Sequence, residues 1–196
     1  MPSRSSAADP FAAALDAAFD ALCTAVARLA HPSPVILIDG RSGGGKTTLA
    51  RRLADEWPRA GERPCLVALD SLYPGWDGLA EGTRLAHEWL LVPHHAGVDA
   101  RWRRFDWDLR AFAEAHVVAR GRPLIVEGAG ALTAAAKPLV QVSVWVDGPE
   151  ASRRRRALER DGDAYAPHWR RWATQEVVHM AEHRPRELAD LVFELP

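Results

Sequence analysis

From Phe11 to Leu29 apolar residues recur at steps of three and four. Phe11, Leu15, Phe19, Leu22, Val26 and Leu29 form one stripe, the period of an amphipathic helix. Asp9-Pro10 supplies the start, a capping carboxylate followed by proline at the first helical position, and His31-Pro32-Ser33-Pro34 ends it. The pattern then changes. Val35-Ile36-Leu37-Ile38 contains no polar position, as a strand buried on both faces of a parallel sheet requires. Similar short apolar runs recur at residues 64–69, 124–126, 140–146 and 191–195. Helical patterns fall between them, from Lys46 to about Trp57 and over residues 83–91, 149–161 and 167–183, and residues 109–118 are also read as helical. Strands alternating with helices predict an α/β, doubly wound domain.

Residues 1–8 are small and polar, and are expected to be disordered. Residues 71–100 carry turn signals at Pro74-Gly75 and Asp77-Gly78; the stretch is too long for a simple connector and reads as an insertion on the substrate side. The 196 residues suit a single domain with a core of its own. Lys+Arg 25 against Asp+Glu 26 leaves a net charge of -1, so no global field draws the chain toward nucleic acid or anionic lipid. Cys23 and Cys65 lie far apart with no metal-ligand spacing, which suits a reduced, cytoplasmic protein. Asp16, Asp20 and Arg28 interrupt the N-terminal apolar stretch, which reads as a soluble helix and not a leader or a membrane span.

The first apolar strand runs into Gly40-Arg41-Ser42-Gly43-Gly44-Gly45-Lys46-Thr47, followed by Thr48. This is GxxxxGK[ST], the phosphate-binding loop. Its glycines allow tight turns and let phosphate oxygens approach main-chain N–H groups. The helix opening at Lys46 points the positive end of its dipole at the same anion. Lys46 is expected to reach the β- and γ-phosphates of ATP, and the Thr47 hydroxyl to ligate Mg²⁺. Gly40, Ser42, Gly43, Gly44, Gly45, Lys46, Thr47 and Thr48 are therefore the candidate nucleotide-binding set.

Hydrolases, motors and kinases share this loop, so the other strand ends carry the choice of reaction. The second apolar run ends in Leu69-Asp70-Ser71-Leu72-Tyr73. Ligands of open α/β sheets sit beyond the carboxyl ends of the strands, where Asp70 could accept a proton from an attacking hydroxyl. A helix-capping or Mg²⁺-linked aspartate is the other reading. The third run ends Val126-Glu127-Gly128, where Glu127 could hold Mg²⁺ through water or stand as a solvated strand-end acid. Arg153, Arg156 and Arg160 share a helical face. Arg156 and Arg160 are the candidate lid arginines, able to neutralise charge on a transferring phosphoryl group, although a solvated basic face explains the run as simply.

Four pieces, in order, resemble the uridine kinase branch of P-loop kinases, which includes phosphoribulokinase and bacterial pantothenate kinase. After the loop, Asp70-Ser71-Leu72-Tyr73 is similar to the family's DSFY; Arg104-Phe105-Asp106-Trp107 to its TYDF; Glu127-Gly128 to its EG; and Val144-Trp145-Val146-Asp147 with the arginine-rich helix to its fourth strand and lid. The likeness runs from Val35 through most of the chain. It implies a three-layer P-loop fold, a five-stranded parallel sheet with helices on both faces and a small arginine-bearing lid over residues 149–165. It also implies Asp70 as catalytic base. No HPDAFD-like segment appears between base and TYDF; Pro74-Gly75-Trp76-Asp77-Gly78-Leu79 stands there instead. The resemblance thus implies a kinase of a small hydroxylated molecule more than one of uridine.

Tyr73, Trp76, Arg104 and Asp106 are the candidate acceptor-binding residues, Asp106 for hydroxyls and Arg104 for an anionic group. Asp70 joins Thr47 and Glu127 as a candidate around the metal. The expected partner is a small-molecule acceptor, in order of preference a nucleoside or related sugar-bearing metabolite, another hydroxylated metabolite, or a nucleoside monophosphate. No nucleic acid or membrane partner is expected. A regulatory nucleotide-binding module that transfers nothing, and a nucleic-acid-dependent ATPase, remain the rivals from other classes.

Overall fold

The computed structural model describes residues 9–196; the disorder expected of residues 1–8 lies outside the described residues. Five strands form one parallel sheet: β1 (Val35–Gly40), β2 (Cys65–Ala68), β5 (Leu124–Glu127), β6 (Val142–Asp147) and β7 (Leu191–Glu194), in the order β2-β5-β1-β6-β7. All four pairings are parallel. Each strand coincides with an apolar run of the sequence. The chain thus has the five-stranded, helix-flanked α/β sheet expected of a P-loop kinase.

The central strands bury both faces, and their alternation sorts the core into two layers. Ile36, Ile38, Ile125, Val142, Val144 and Val146 pack beneath α1 (Pro10–Ala27) and α2 (Lys46–Asp55). Val35, Leu37, Leu124 and Val126 face the other layer, which holds α3 (Leu79–Ala86), α5 (Glu150–Tyr165) and α6 (Trp169–His183). The Asp9 carboxylate accepts the N–H of Phe11 at 3.0 Å, capping α1 with Pro10 at its first turn. This helix has the length and mean hydropathy, 1.4, of a membrane-crossing segment. Its Ala18, Phe19, Leu22 and Val26 are nevertheless buried in the first core layer.

Two elements depart from the sequence reading. Residues 109–118 are not helical: β4 (Ala111–Val118) pairs antiparallel with β3 (Ala100–Asp106) in a separate two-stranded sheet. Alanines at 111, 113 and 115 suit a helix, but the cross-strand contacts decide otherwise. Phe112 meets Phe105 edge-on, and His116 stacks on Trp102 with ring centroids 4.5 Å apart. The helix expected at 83–91 starts earlier, at Leu79, and continues through a wide π turn (His87–Leu91) into α4 (Val92–His95). Pro93 accounts for the widening. It lacks an N–H and its ring collides with the carbonyl four residues back in a regular helix, and an enlarged turn relieves both.

The carboxyl end of β1 is tied to its neighbours by one fully buried carboxylate. Asp39 accepts the N–H groups of Gly40 at 2.6 Å, Gly130 at 2.9 Å and Leu132 at 2.8 Å. It therefore holds the loop after β5 against the start of the phosphate loop. In Asp39→Asn an amide nitrogen replaces one acceptor and faces an N–H group. Leaving such donors unsatisfied costs roughly 2–4 kcal/mol, or on the order of 5–15 °C in Tm for a domain of this size. Thermal unfolding of the variant beside the wild type measures it, and an unchanged Tm would contradict the role given to Asp39.

Candidate active site

The β1–α2 junction is shaped by backbone meeting backbone. Gly40 has φ 148°, and a Cβ there would stand 1.9 Å from the Val146 carbonyl oxygen. Gly43 has φ 73°, and its Cβ would stand 2.0 Å from the Arg153 carbonyl oxygen. Any side chain at either position would push the loop off β6 or α5. Arg41 reaches across to Asp147 at the end of β6, with Nε at 2.9 and 3.0 Å from the two carboxylate oxygens. Lys46 opens α2, and its buried ammonium donates to the Arg41 carbonyl at 3.1 Å.

Around that ammonium the strand ends bring acids together. The Thr47 hydroxyl donates to Glu127 Oε1 at 3.0 Å, joining α2 to the end of β5. Burial pushes the Glu127 carboxyl up; Lys46 opposes this and Asp70 adds to it. Asp70 lies in the short turn after β2, open to solvent at the residue level. Protein still crowds its carboxyl enough for desolvation to raise its pKa, with Lys46 and then Arg160 pulling the other way. Phe11, Gly43, Gly45, Lys46, Thr47, Thr48, Arg156 and Arg160 line a cavity of about 210 Å³. Two larger hollows, of about 660 and 630 Å³, lie at the amino ends of the strands and between α3 and α6. Neither touches the phosphate loop, and size alone does not identify a site without convergent polar groups.

Glu127 and Thr47 offer hard oxygen ligands on one side of Lys46, the donor chemistry Mg²⁺ takes, so the residues present fit that ion directly or through water. Gly40 and Ser42 belong to the loop backbone, and Thr48 to the cavity wall. Arg160 lines the cavity and pairs with Asp161 through Nε at 2.8 Å. Arg156 is not free on a swinging lid. Its Nε donates to the Gly43 carbonyl at 2.9 Å, its Nη1 donates to the Pro196 carbonyl at 2.5 Å, and its guanidinium lies 4.2 Å from the Phe11 ring centroid. The 149–165 region is the helix α5, broken at Gly162, whose φ 56° and ψ −137° are non-helical.

The four acceptor candidates divide. Trp76 stacks on His168 with centroids 4.2 Å apart and 15° between planes, and lies 4.9 Å from Trp107. Trp107 Nε1 donates to the Asp70 carbonyl at 2.9 Å, so this aromatic group adjoins the candidate base. Tyr73 does not reach an open face. It is buried, and its hydroxyl donates to the Ala129 carbonyl at 2.7 Å. Arg104 and Asp106 are committed to the hairpin. Arg104 pairs with Glu114 at 2.6 Å and with Asp106 at 3.0 Å, while Asp106 also accepts the N–H groups of Asp108 and Leu109, closing the β3–β4 turn. An acid two residues before a turn serves its backbone more readily than a distant ligand.

Sequence reasoning missed Arg153 and Glu176 as loop contacts. Arg153, 2% exposed, donates from Nη1 to the Ser42 carbonyl at 3.0 Å and from Nε to the Gly148 carbonyl at 3.0 Å. Glu176, 3% exposed, accepts the Ser42 N–H at 2.7 Å. The signal for Glu176 was present in its helix. The buried stripe of α6 runs Trp169, Trp172, Glu176, His179, and an acid on an apolar stripe needs a specific partner.

No protein-family model matches the chain, and no curated protein matches it in sequence. Solved structures do resemble it. A possible uridine kinase from Bacillus stearothermophilus superposes with a TM-score of 0.68 at 19% identity, covering 91% of this chain and 98% of that one. A candidate fructose transport system kinase from Silicibacter sp. TM1040 does so with a TM-score of 0.60 at 21% identity, covering 89% and 98%. With the glycine loop at the β1–α2 junction and acids at the ends of β2 and β5, this likeness over the whole domain gives the chain the fold of a uridine kinase-like P-loop kinase.

Proposed function

We propose that the protein is an ATP- and Mg²⁺-dependent phosphotransferase that moves the γ-phosphate to a hydroxyl of a small metabolite, a nucleoside or related sugar-bearing compound. The observation that carries this is the convergence of Lys46, the Thr47–Glu127 pair and Asp70 at the carboxyl ends of β1, β5 and β2. A phosphate loop alone would serve a switch or a motor. A further carboxylate within the electrostatic reach of that lysine is what alcohol phosphorylation adds.

In this reading the loop N–H groups and Lys46 bind the triphosphate, and Thr47 with Glu127 would hold Mg²⁺, whose charge would offset that of the phosphates. Asp70 orients the acceptor hydroxyl and takes its proton. The acceptor oxygen forms the new bond to the γ-phosphorus as the bond to the β–γ bridging oxygen breaks, releasing ADP. Arg160 balances charge on the transferring group. The aromatic faces of Trp76 and Trp107 beside Asp70 favour an acceptor with a flat ring or the C–H face of a sugar. The same proposal places the protein in the cytoplasm, where Mg·ATP is held, acting on small molecules without nucleic acid or membrane.

Asp70→Asn is expected to keep Mg·ATP affinity, measured by calorimetry, while turnover on a responsive acceptor falls by at least about a hundredfold. Unimpaired transfer by this variant would remove Asp70 as base. Lys46→Ala is expected to lose Mg·ATP binding itself, through loss of the cation facing the phosphates. A metabolite-pool screen with the Asp70 variant as blank supplies the acceptor.

The pH profile follows from the raised Asp70 carboxyl. Activity needs the ionised form, so kcat/KM is full above its pKa and falls as pH drops through it. The acid limb is expected above the ordinary aspartate value of about 3.9. A midpoint at or below that value, with the fold intact by circular dichroism, would contradict the assignment.

A further inference from the structure

The segment Ser42-Gly43 of the phosphate loop is gripped from two helices by charges of opposite sign, Glu176 and Arg153 buried and Arg156 half-buried. Glu176 on α6 accepts the Ser42 N–H at 2.7 Å; Arg153 and Arg156 on α5 donate to the Ser42 and Gly43 carbonyls at 3.0 and 2.9 Å. Each charge suits its target, a carboxylate on an N–H and guanidiniums on carbonyls. Hydrogen bonds of this charge-assisted kind are about twice as strong as neutral ones. A glycine-rich loop without such ties samples many conformations, and ordering it would subtract from ligand affinity.

The cost of the arrangement says that it is not incidental packing. Glu176 is 3% exposed on a stripe otherwise made of aromatic rings and an imidazole. Burying a carboxylate is unfavourable unless it is hydrogen-bonded or paired, and the partners it has, the Ser42 N–H and hydroxyl and the Arg153 charge, lie in or against the loop. Desolvation raises the Glu176 carboxyl, opposed first by Lys46, so the acid also shares the electrostatic surroundings of the phosphate-binding cation.

We propose that Glu176 is a positioning residue for nucleotide binding: its carboxylate, bonded to the Ser42 N–H opposite the Arg153 bond to the Ser42 carbonyl, preorganises the phosphate loop to receive the triphosphate. The inference rests on the nucleotide-binding reading above and adds a residue that touches neither phosphate nor metal. It locates the effect in binding and not in chemistry. Glu176 therefore acts on Kd and KM for Mg·ATP and leaves kcat at saturation largely unchanged, the reverse of what Asp70 does.

The test compares Glu176→Ala, Glu176→Gln and Glu176→Asp with the wild type, using calorimetry with Mg·ATP, thermal unfolding and steady-state kinetics. Losing one charge-assisted buried bond is expected to weaken Mg·ATP by roughly ten- to a hundredfold in Glu176→Ala. Glu176→Gln keeps an acceptor of the same reach and is expected to recover most of the affinity. Glu176→Asp keeps the charge but withdraws it from Ser42, and is expected to behave like the alanine variant. Wild-type Kd in both Glu176→Ala and Glu176→Asp overturns the proposal. So does a loss confined to kcat. If both variants fail to fold, Glu176 belongs to the scaffold and the positioning role is equally lost. If the wild-type protein itself gives no heat with Mg·ATP, the nucleotide reading fails, an outcome distinct from unaltered binding in the variants.

Discussion

The structure depends on close approach of main chain to main chain where β1 hands over to α2. A Cβ on Gly40 would lie 1.9 Å from Val146 O, and one on Gly43 would lie 2.0 Å from Arg153 O. The loop is thus pressed between β6 and the start of α5 with no room for a side chain at either of these positions, and it takes its shape from them. Polar ties finish the job that contact begins. Asp39 binds the near end, Arg41 and Asp147 brace the middle, and Glu176 with Arg153 grips Ser42. A loop of glycines is usually the most mobile part of a domain; here its freedom is removed by its surroundings.

Electrostatics concentrates at the same place. Lys46 is the strongest opposing charge for Asp70, Glu127 and Glu176 alike, each raised by loss of solvent. Asp70 also raises Glu127, so these two acids are in a state that a positive ion would relieve. Arg160 contributes at both Asp70 and Glu127. Perturbed carboxyls cluster where charge is handled, which supports the proposed binding of a metal-bound anion here.

The sheet was legible because the central strands, buried on both faces, read as apolar runs, and the half-exposed outer strands β2 and β7 kept enough apolar positions to stand out too. The loop was legible because its chemistry demands fixed residues at fixed spacing. The β3–β4 hairpin was not, since alternating alanines satisfy helix and strand alike and only Phe105 and Trp102, outside the misread stretch, decide the matter. Arg104 and Asp106 matched a motif in order but spend their hydrogen bonds inside that hairpin. The acid at Glu176 signals a need for some partner, but which one is not legible, because that partner is a backbone N–H 134 residues away.

Under the proposed function, the two ends of the site are made of different material, and this would bear on how the acceptor is chosen. The nucleotide end is backbone, fixed by glycines whose replacement would collide with carbonyl oxygens. The acceptor end is side chain: Trp76 from the 71–100 insertion, Trp107 from the hairpin tip, Tyr165 and His168 from the junction of α5 and α6. Such a wall can change by substitution without moving the loop, so one phosphate site can serve different acceptors. The wall is nevertheless attached to the chemistry. The Trp107 indole N–H holds the Asp70 carbonyl, and Trp76 joins that tryptophan to the segment just beyond the Gly162 break. Under the proposed function, an acceptor seated against these rings would touch elements joined both to Asp70 and to the helix that carries Arg160, so that recognition of the acceptor and assembly of the transfer site would be coupled.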